Sequence, residues 1–327
     1  MLNSIETILA QLATHQAVPL GEISPTLDLA GTPLPSTQLC ATLQQAGLPV
    51  TVEHSLLRLA PDAGIDWLDL PCQQQRRERV NDAWLTIEIS KYYWLESTQV
   101  LAKRQSPPPP GELRVVVSEY QSRGRGRLGR QWLQSMAEGL ALSLTFTFAT
   151  PVELPPLGLV VGVLLAEKLN ALLGTNLKLK WPNDLLLNDK KCGGILIESS
   201  RQGVLDTVII GIGINTHLSA TTAQHIASLG GGRAAAAVAM GQYSRTQVFN
   251  VLLKALAAGL TEYHSFTPYR PRFTALDGLY GHAVQWQVRG TLVSGVARGV
   301  YSDGSLAVHT PDGEHRMVAG DIDRYAV

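Results

Sequence analysis

KWPNDLLLNDKKCGGILIESSRQGVLDTVIIGIGIN, residues 180–215, sets the architecture. LKLKWPNDLLL, GGILIES and VLDTVIIGIGINT are apolar runs with strand character, separated by turn signals rather than by helices. Asn188-Asp189 makes a turn, and Lys190 and Lys191 begin the return strand. Working outward, WLTIEISKYYW, LRVVVSEY and GLALSLTFTF read as further strands. The stretch 157–174 and TQVFNVLLKALAAGLTEYHSF read as helices between or after them. Strands outnumber helices and several are hairpin-spaced. The expectation is an α/β (α+β) domain with a mixed or antiparallel sheet, not regular βαβ repeats.

The chain has 327 residues, enough for two or three domains, and 45% of them are apolar. Lys plus Arg and Asp plus Glu are equal at 27 each, so no global charge points to a polyanion or a membrane surface. Cys40, Cys72 and Cys192 are far apart and lack metal-ligand spacing, which argues against a disulfide framework and for a cytoplasmic protein. The start, MLNSIETILAQLATHQ, has no basic segment followed by an apolar core, so it does not read as a signal peptide. LGLVVGVLLAEKLNALLG is interrupted by Glu167 and Lys168, and reads as a buried helix rather than a membrane span.

Residues 1–60 outline a small helical unit. Ile5, Ile8, Leu9 and Leu12 recur at helical spacing, and a short helix is expected over Leu20–Leu29. A third starts near Pro35-Ser36, presents Leu39, Leu43 and Ala46, and stops at Gly47. PVTVEHSLLRLAP alternates like a hairpin. Three helices and a hairpin are the outline of a winged helix-turn-helix. Residues 61–83, with QQQRRER, read as a linker with room for a short helix, and 84–272 as the main domain. PPPP at 107–110 reads as a rigid turn between a helix and a strand. SLGGGRAAAAVAMG at 228–241 reads as a loop running into a helix. From 273 to 327 the chain turns to short strands, with Asp303-Gly304 and Asp312-Gly313 as hairpin turns, and reads as a small β-barrel.

EYQSRGRGRLGRQW, residues 119–132, carries the strongest chemical signal. Arg123, Arg125, Arg127 and Arg130 alternate with Gly124, Gly126 and Gly129. Glycines weaken helix and strand and let backbone N–H groups approach a ligand; arginines present planar forks for carboxylate and phosphate. The segment reads as a mobile loop closing on an anion. The plainer alternatives are a solvated basic loop or an RNA-binding RG segment, but the latter are long and disordered. In KWPND, Pro182 holds Trp181 extended, and Asn183 and Asp184 stand at a strand break where polar side chains can face a site. An ordinary hairpin with a charged tip is the competing reading. GIGIN at 211–215 is not G-x-G-x-x-G, so a Rossmann dinucleotide site is not indicated. In LESTQ, 95–99, Ser97 could simply cap a helix.

Taken in order, these segments resemble the biotin–protein ligase family over roughly residues 85–327, and the helical N-terminus is similar to that of its bifunctional ligase and biotin-operon repressor members. The resemblance implies a catalytic α/β domain, a C-terminal SH3-like β-barrel and a winged helix in front. It places Ser97, Thr98 and Gln99, Gln121, Gly124, Arg125, Arg127, Lys191, Gly194 and Gly211 around biotin. Gln99 stands where the family has Asn. Trp132, Asn183, Asn215 and Arg298 fall on the nucleotide side, and Asp184 becomes a candidate for Mg²⁺. Cys192 reads as packing.

The implied chemistry is attack of the biotin carboxylate on the α-phosphorus of MgATP, then transfer from biotinyl-5′-adenylate to a lysine of a biotin carboxyl carrier domain. Lys191, Arg125 and Arg127 would offset the repulsion between carboxylate and polyphosphate. The family also implies a possible homodimer. Residues 1–57 contain no Lys or Arg, so charge argues against DNA binding despite the winged-helix outline. The rival readings are a lipoate ligase or octanoyl transferase, whose usual RR-x-SGGG-type loop and catalytic Cys are absent, and a biotin-sensing repressor that has lost transfer.

Overall fold

The computed structural model describes residues 2–15, 17–27, 33–34, 36–60, 65–81, 83–229, 235–288 and 291–324. The N-terminal unit contains β1 (Leu2–Ser4), α1 (Ile5–His15), β2 (Ala17–Pro19), β3 (Ile23–Leu27), β4 (Pro33–Leu34), α2 (Ser36–Gln45), β5 (Val50–Glu53) and β6 (Leu56–Leu59). Its core is the apolar stripe of α1 against Leu39, Leu43, Val50 and Leu57, and it also takes in Tyr93, Trp94 and Met136 from the main domain. Over the described residues 20–27, the helix expected over Leu20–Leu29 does not form. Leu20–Glu22 is one 3₁₀ turn, and β3 follows, parallel to β1. Pro25 lies inside that stretch, and a proline in a helix interior costs about 3 kcal/mol. Pro35 and Asp28–Thr32 lie outside the described residues.

The main sheet follows with β7 (Gln73–Val80), β8 (Ala83–Leu95), α3 (Thr98–Arg104), β9 (Glu112–Gln121), β10 (Gly124–Arg125), β11 (Gln131–Trp132), β12 (Gly139–Phe148), α4 (Leu157–Leu173), β13 (Lys178–Lys180), β14 (Asp184–Leu187), β15 (Lys190–Gln202), β16 (Leu205–Asn215), α5 (Ala220–Leu229), α6 (Arg245–Thr261) and α7 (Arg270–Leu276). Eight strands are ordered β13-β14-β15-β16-β12-β9-β8-β7. Only β8 and β9 run parallel, joined across α3 and the 107–110 prolines; the other pairings are antiparallel.

Residues 61–83, expected as a linker, therefore contain a strand of this sheet. Gln73 pairs with Ser90 and Val80 with Ala83 across a tight turn. β7 is an edge strand whose Gln73, Gln75, Arg77 and Arg79 face solvent. A polar strand of this kind carries little of the apolar alternation that identifies strands in a sequence.

GLALSLTFTF shows why the sheet is two-sided. Leu140, Leu142, Leu144, Phe146 and Phe148 join the core under the helices, while Ala141, Ser143, Thr145 and Thr147 face the other way. α4 is apolar nearly all round because it is buried in the core beside α6; it ends at Gly174, whose φ of +65° supplies the left-handed cap. α6 starts with a capping box in which Ser244 and Gln247 exchange hydrogen bonds. Arg245 is 2% exposed; it donates to the carbonyls of Asp66 at 2.7 Å and Gly139 at 2.8 Å and pairs with fully buried Glu119 at 2.7 Å. Glu119 also accepts from Leu68 N–H at 2.7 Å, which ties the 65–70 segment to the sheet. Burial holds the ammonium of Lys91, beside Glu119, below the usual lysine range.

α5 ends at Leu229, inside the 228–241 segment, whose described residues 235–241 are irregular and lead toward α6; there Ala236 and Val238 donate to the carbonyls of Lys191 and Asn215 at 2.9 and 2.8 Å. Gly230–Ala234 lie outside the described residues.

The C-terminal unit is β17 (Ala283–Val288), β18 (Thr291–Val300), β19 (Leu306–Thr310), β20 (Gly313–Met317) and β21 (Asp323–Arg324). The strands begin at Ala283 rather than 273, because α7 extends to Leu276. Their order is β20-β19-β18-β17-β21, an open ladder among the described residues rather than a closed barrel. No helix among the described residues is long and apolar enough to cross a membrane.

Candidate active site

The sheet face away from α4 and α6 carries a floor of small residues. Register places Ser143, Gly211 and Leu196 side by side on β12, β16 and β15, and Ala141, Gly213 and Gly194 in the next equivalent row. A cavity of ≈ 100 Å³ lies over this floor. A Cβ on Gly213 would meet Trp132 Cε2 at 2.4 Å, and one on Gly211 would meet Gln99 Oε1 at 2.6 Å. The glycines are thus the room into which an aromatic ring and an amide settle.

Ser97, Thr98 and Gln99 line the closed end, each 2–3% exposed. Ser97 stands at the N-cap position of α3 but makes no capping bond; its Oγ is buried without a partner. Thr98 donates to Gln121 Oε1 through its N–H at 2.7 Å and its hydroxyl at 3.1 Å. Ser143 Oγ is 3.0 Å from Gln99 Oε1, and Gln99 Nε2 donates to Glu198 at 3.0 Å. An unpartnered buried hydroxyl beside a satisfied network is a place for a ligand's polar atom.

The arginine–glycine loop folds over the mouth. Gly124 pairs with Trp132 and Arg125 with Gln131; a Cβ on Gly124 would lie 2.4 Å from the Trp132 carbonyl oxygen, so the two strands approach this closely only at glycine. Leu128 adopts a left-handed φ of 55° at the tip. Arg127 donates to Asn183 Oδ1 at 3.0 Å and toward the Gly320 carbonyl, and Arg130 pairs with Asp321. Burial lowers the pKa of Arg127, with Asp184 opposing. Such a guanidinium stays charged, and burial strengthens its reach toward an anion.

KWPND forms the opposite wall. Trp181 is buried and donates from Nε1 to the Gly304 carbonyl at 2.9 Å, which anchors the C-terminal unit. The Trp181–Pro182 peptide is cis. Asn183 Nδ2 donates to the Ile195 carbonyl at 2.9 Å, so this side chain bridges the loop and β15. Asn188 and Asp189 have φ of 50° and 62°, a turn that returns the chain to Lys191. Lys191 Nζ is 2.6 Å from Asp184 Oδ1 and lies across Gly194, where a Cβ would sit 3.3 Å from it. Cys192 points away into the core; burial pushes its thiol up to about 12.

A sequence profile of the Biotin/lipoate A/B protein ligase family matches residues 92–215. The bifunctional ligase/repressor BirA of Salmonella typhimurium is 32% identical over 219 residues, covering 65% of this chain and 68% of the relative. BirA of Escherichia coli is 31% identical over 203 residues; the chain spans 62% of its length, under two thirds. The solved biotin protein ligase from Aquifex aeolicus, in complex with biotin and ATP, superposes with a TM-score of 0.58 at 25% identity, covering 72% of this chain and 99% of that one. The chain belongs to the biotin–protein ligase family.

Of the residues expected at a biotin–protein ligase site, Ser97, Thr98, Gln99, Gln121, Arg125, Arg127, Trp132, Asn183, Asp184, Lys191, Gly194 and Gly211 line the cavity together. Three do not. Gly124 lies beneath the loop as a packing position. Asn215 is 4% exposed and donates to the Ala236 carbonyl at 3.1 Å. Arg298 is exposed on β18, outside the cavity lining. The cavity adds residues that reading by motif passed over. Ser143 sits in a plain alternating strand, Gly213 is the second glycine of GIGIN, and Asp321 comes from the far end of the chain. For Gly213 the neighbouring glycines were a signal; for Ser143 and Asp321 nothing in the local sequence was.

Proposed function

We propose that this protein activates biotin with ATP and transfers it to a lysine of a biotin carboxyl carrier domain. The observation that carries this reading is one cavity with two chemically distinct ends. At one end a set of uncharged donors and acceptors, buried Ser97 and Thr98 with half-buried Gln121, suits a polar ring. At the other, Lys191 and Arg127 supply positive charge, and Arg125 adds a further cation to the lining. A carboxylate approaching a triphosphate meets like-charge repulsion, and cations held in a site that excludes water offset it best. The carboxylate oxygen bonds to the α-phosphorus as pyrophosphate leaves; the acceptor amine then bonds to the acyl carbon as AMP leaves. Lys191 and Arg127 bind the developing phosphate charge, and Trp132 stacks on the adenine. Gly194 and Gly211 lie on the cavity floor beneath the biotin rings, where they seat Lys191 and Gln99 against the ligand.

No group of three or more metal-ligating side chains occurs among the described residues, and Asp184 is engaged by Lys191. Asp184 is the side chain that would hold a Mg²⁺ arriving with ATP, and the ion would supply neutralisation of phosphate charge. The α1, α2 and β5–β6 succession supports a winged-helix-like N-terminal unit, and the β17–β21 ladder an SH3-like C-terminal one. The exposed positions of α2 include Gln38, Ala41, Gln44 and Gln45, which offer DNA phosphates no cation.

The test is pyrophosphate release with MgATP and either biotin or lipoate, followed by addition of a biotin-acceptor domain. Biotin-dependent release and acceptor labelling are expected. Release with lipoate alone selects the other branch of the superfamily, and biotin binding without release selects a sensor.

A further inference from the structure

We propose that Glu198, held by Lys103, is a positioning residue that sets the hydrogen-bonding polarity of the cavity's closed end through Gln99. The inference rests on the biotin reading above and adds to it a residue outside the cavity lining. Glu198 follows Leu196 on the same face of β15, one step beyond the floor. Its carboxylate accepts from Lys103 Nζ at 2.7 Å and from Gln99 Nε2 at 3.0 Å. The same Nε2 faces the Ile209 carbonyl at 3.3 Å.

A primary amide donates only from nitrogen and accepts only at oxygen. With both N–H groups drawn to a carboxylate and a carbonyl, Gln99 Oε1 must face Ser143 Oγ, 3.0 Å away. Ser143 Oγ is also 2.9 Å from Thr98 Oγ1, and it has one proton to give. Ser143 shares that proton between Thr98 Oγ1 and the acceptor-only oxygen of Gln99. Thr98 gives its own proton to Gln121 Oε1 and keeps one lone pair clear of Ser143. With its oxygen engaged, Gln121 has its amide nitrogen left to donate. The closed end thus offers an acceptor on Thr98 and donors on Gln121 and Ser97, which matches a cyclic urea with its N–H groups and carbonyl.

Reversing the Gln99 amide would undo this. Its N–H would donate to Ser143, the shared Ser143 proton would turn wholly to Thr98, and Thr98 would be left a weaker acceptor with one of its two lone pairs taken. Glu198 opposes the reversal because an amide oxygen would then meet a carboxylate. Burial works against ionisation of Glu198, but the hydrogen bonds from Lys103 and Gln99 outweigh it and hold the carboxyl below its usual range. The charge is therefore present at neutral pH. Gly211 completes the arrangement, since any Cβ there would displace Gln99 Oε1.

The test is calorimetric binding of biotin, without ATP, to the full chain and to Glu198→Gln, Lys103→Met, Gln99→Leu and the Gln99→Leu/Glu198→Gln double variant. Glu198→Gln removes the carboxylate that opposes reversal and leaves the Ile209 carbonyl as the remaining barrier, and the biotin Kd is expected to rise about tenfold. The loss should fall on Kd and KM for biotin far more than on kcat or on KM for ATP. Lys103 is largely exposed, so Lys103→Met folds normally and gives a smaller loss of about threefold. In the Gln99→Leu background, Glu198→Gln should add nothing, because it acts through Gln99. Wild-type affinity in Glu198→Gln, an equal loss for ATP, or the same loss without Gln99 overturns the proposal. Failure of the unsubstituted chain to bind biotin overturns the functional reading, and this inference with it.

Discussion

Replacing Lys191 by alanine separates catalysis from folding. Its ammonium is 2.6 Å from Asp184, and its side chain remains 41% exposed. A half-exposed pair of this kind contributes about 0–1 kcal/mol to stability, so the variant should fold and melt within a few degrees of the parent. The effect on chemistry is of another size. Two unit charges about 4 Å apart interact by roughly 4 kcal/mol at an effective dielectric constant near 20. Loss of a single preorganised donor typically lowers a rate by about 10²–10³, or about 2.7–4 kcal/mol. Lys191→Ala is expected to lower biotin-dependent pyrophosphate release by that factor in single-turnover assays at saturating MgATP. Transfer from preformed biotinyl adenylate to the acceptor should fall much less. A loss of less than about tenfold in adenylation, or an equal loss in both steps, would refute the assignment of Lys191 to the reacting phosphate.

Arg127→Gly removes the contacts to Asn183 and Gly320 that hold the loop down, so adenylate should escape faster and bystander proteins become labelled; unchanged release, followed by trapping the free adenylate, would contradict a retaining role. Gly213→Val places a methyl-bearing carbon 2.4 Å from the Trp132 ring, which must leave the floor; KM for ATP should rise by about five- to tenfold as tryptophan emission shifts to the red, and a shifted spectrum with unchanged KM would show that Trp132 does not contact the nucleotide. Arg245→Met strands the fully buried Glu119 carboxylate and should cost about 3–5 kcal/mol in urea unfolding; a loss below about 1 kcal/mol would mean that Leu68 and Lys91 satisfy Glu119 without it. At pH 8 a maleimide should modify exposed Cys72 quickly and leave Cys192 untouched, because a thiol pushed up to about 12 carries almost no thiolate there; labelling of Cys192 in the folded protein would refute its burial.

The sequence by itself determined the strands and the chemistry that is local. Alternation in GLALSLTFTF, the turn at Asn188-Asp189 and the arginine–glycine loop are signals written within a few residues, and each stands where its spacing placed it. So are the helices 157–173 and 245–261, whose apolar faces and end signals lie within their own length. Tertiary structure decided the rest, for identifiable reasons. β7 is a polar edge strand that exists because β8 offers it a hydrogen-bonding partner, and no periodicity announces it. The described part of the stretch expected as a helix, residues 20–27, gave way to a 3₁₀ turn and a strand, with Pro25 inside it and β1 as the strand's partner. Asn215 and Arg298 carry family-like motifs, yet one is engaged by the 235–240 segment and the other faces solvent. Ser143, Gly213, Asp321 and Glu198 reach the site or its border from three strands and the C-terminal unit. Their neighbourhood is created only when β12, β15 and β16 come into register and the C-terminal segment closes on the loop. A site built from contacts between distant segments has no local sequence pattern, because the hydrogen bonds that define it do not exist until the sheet does.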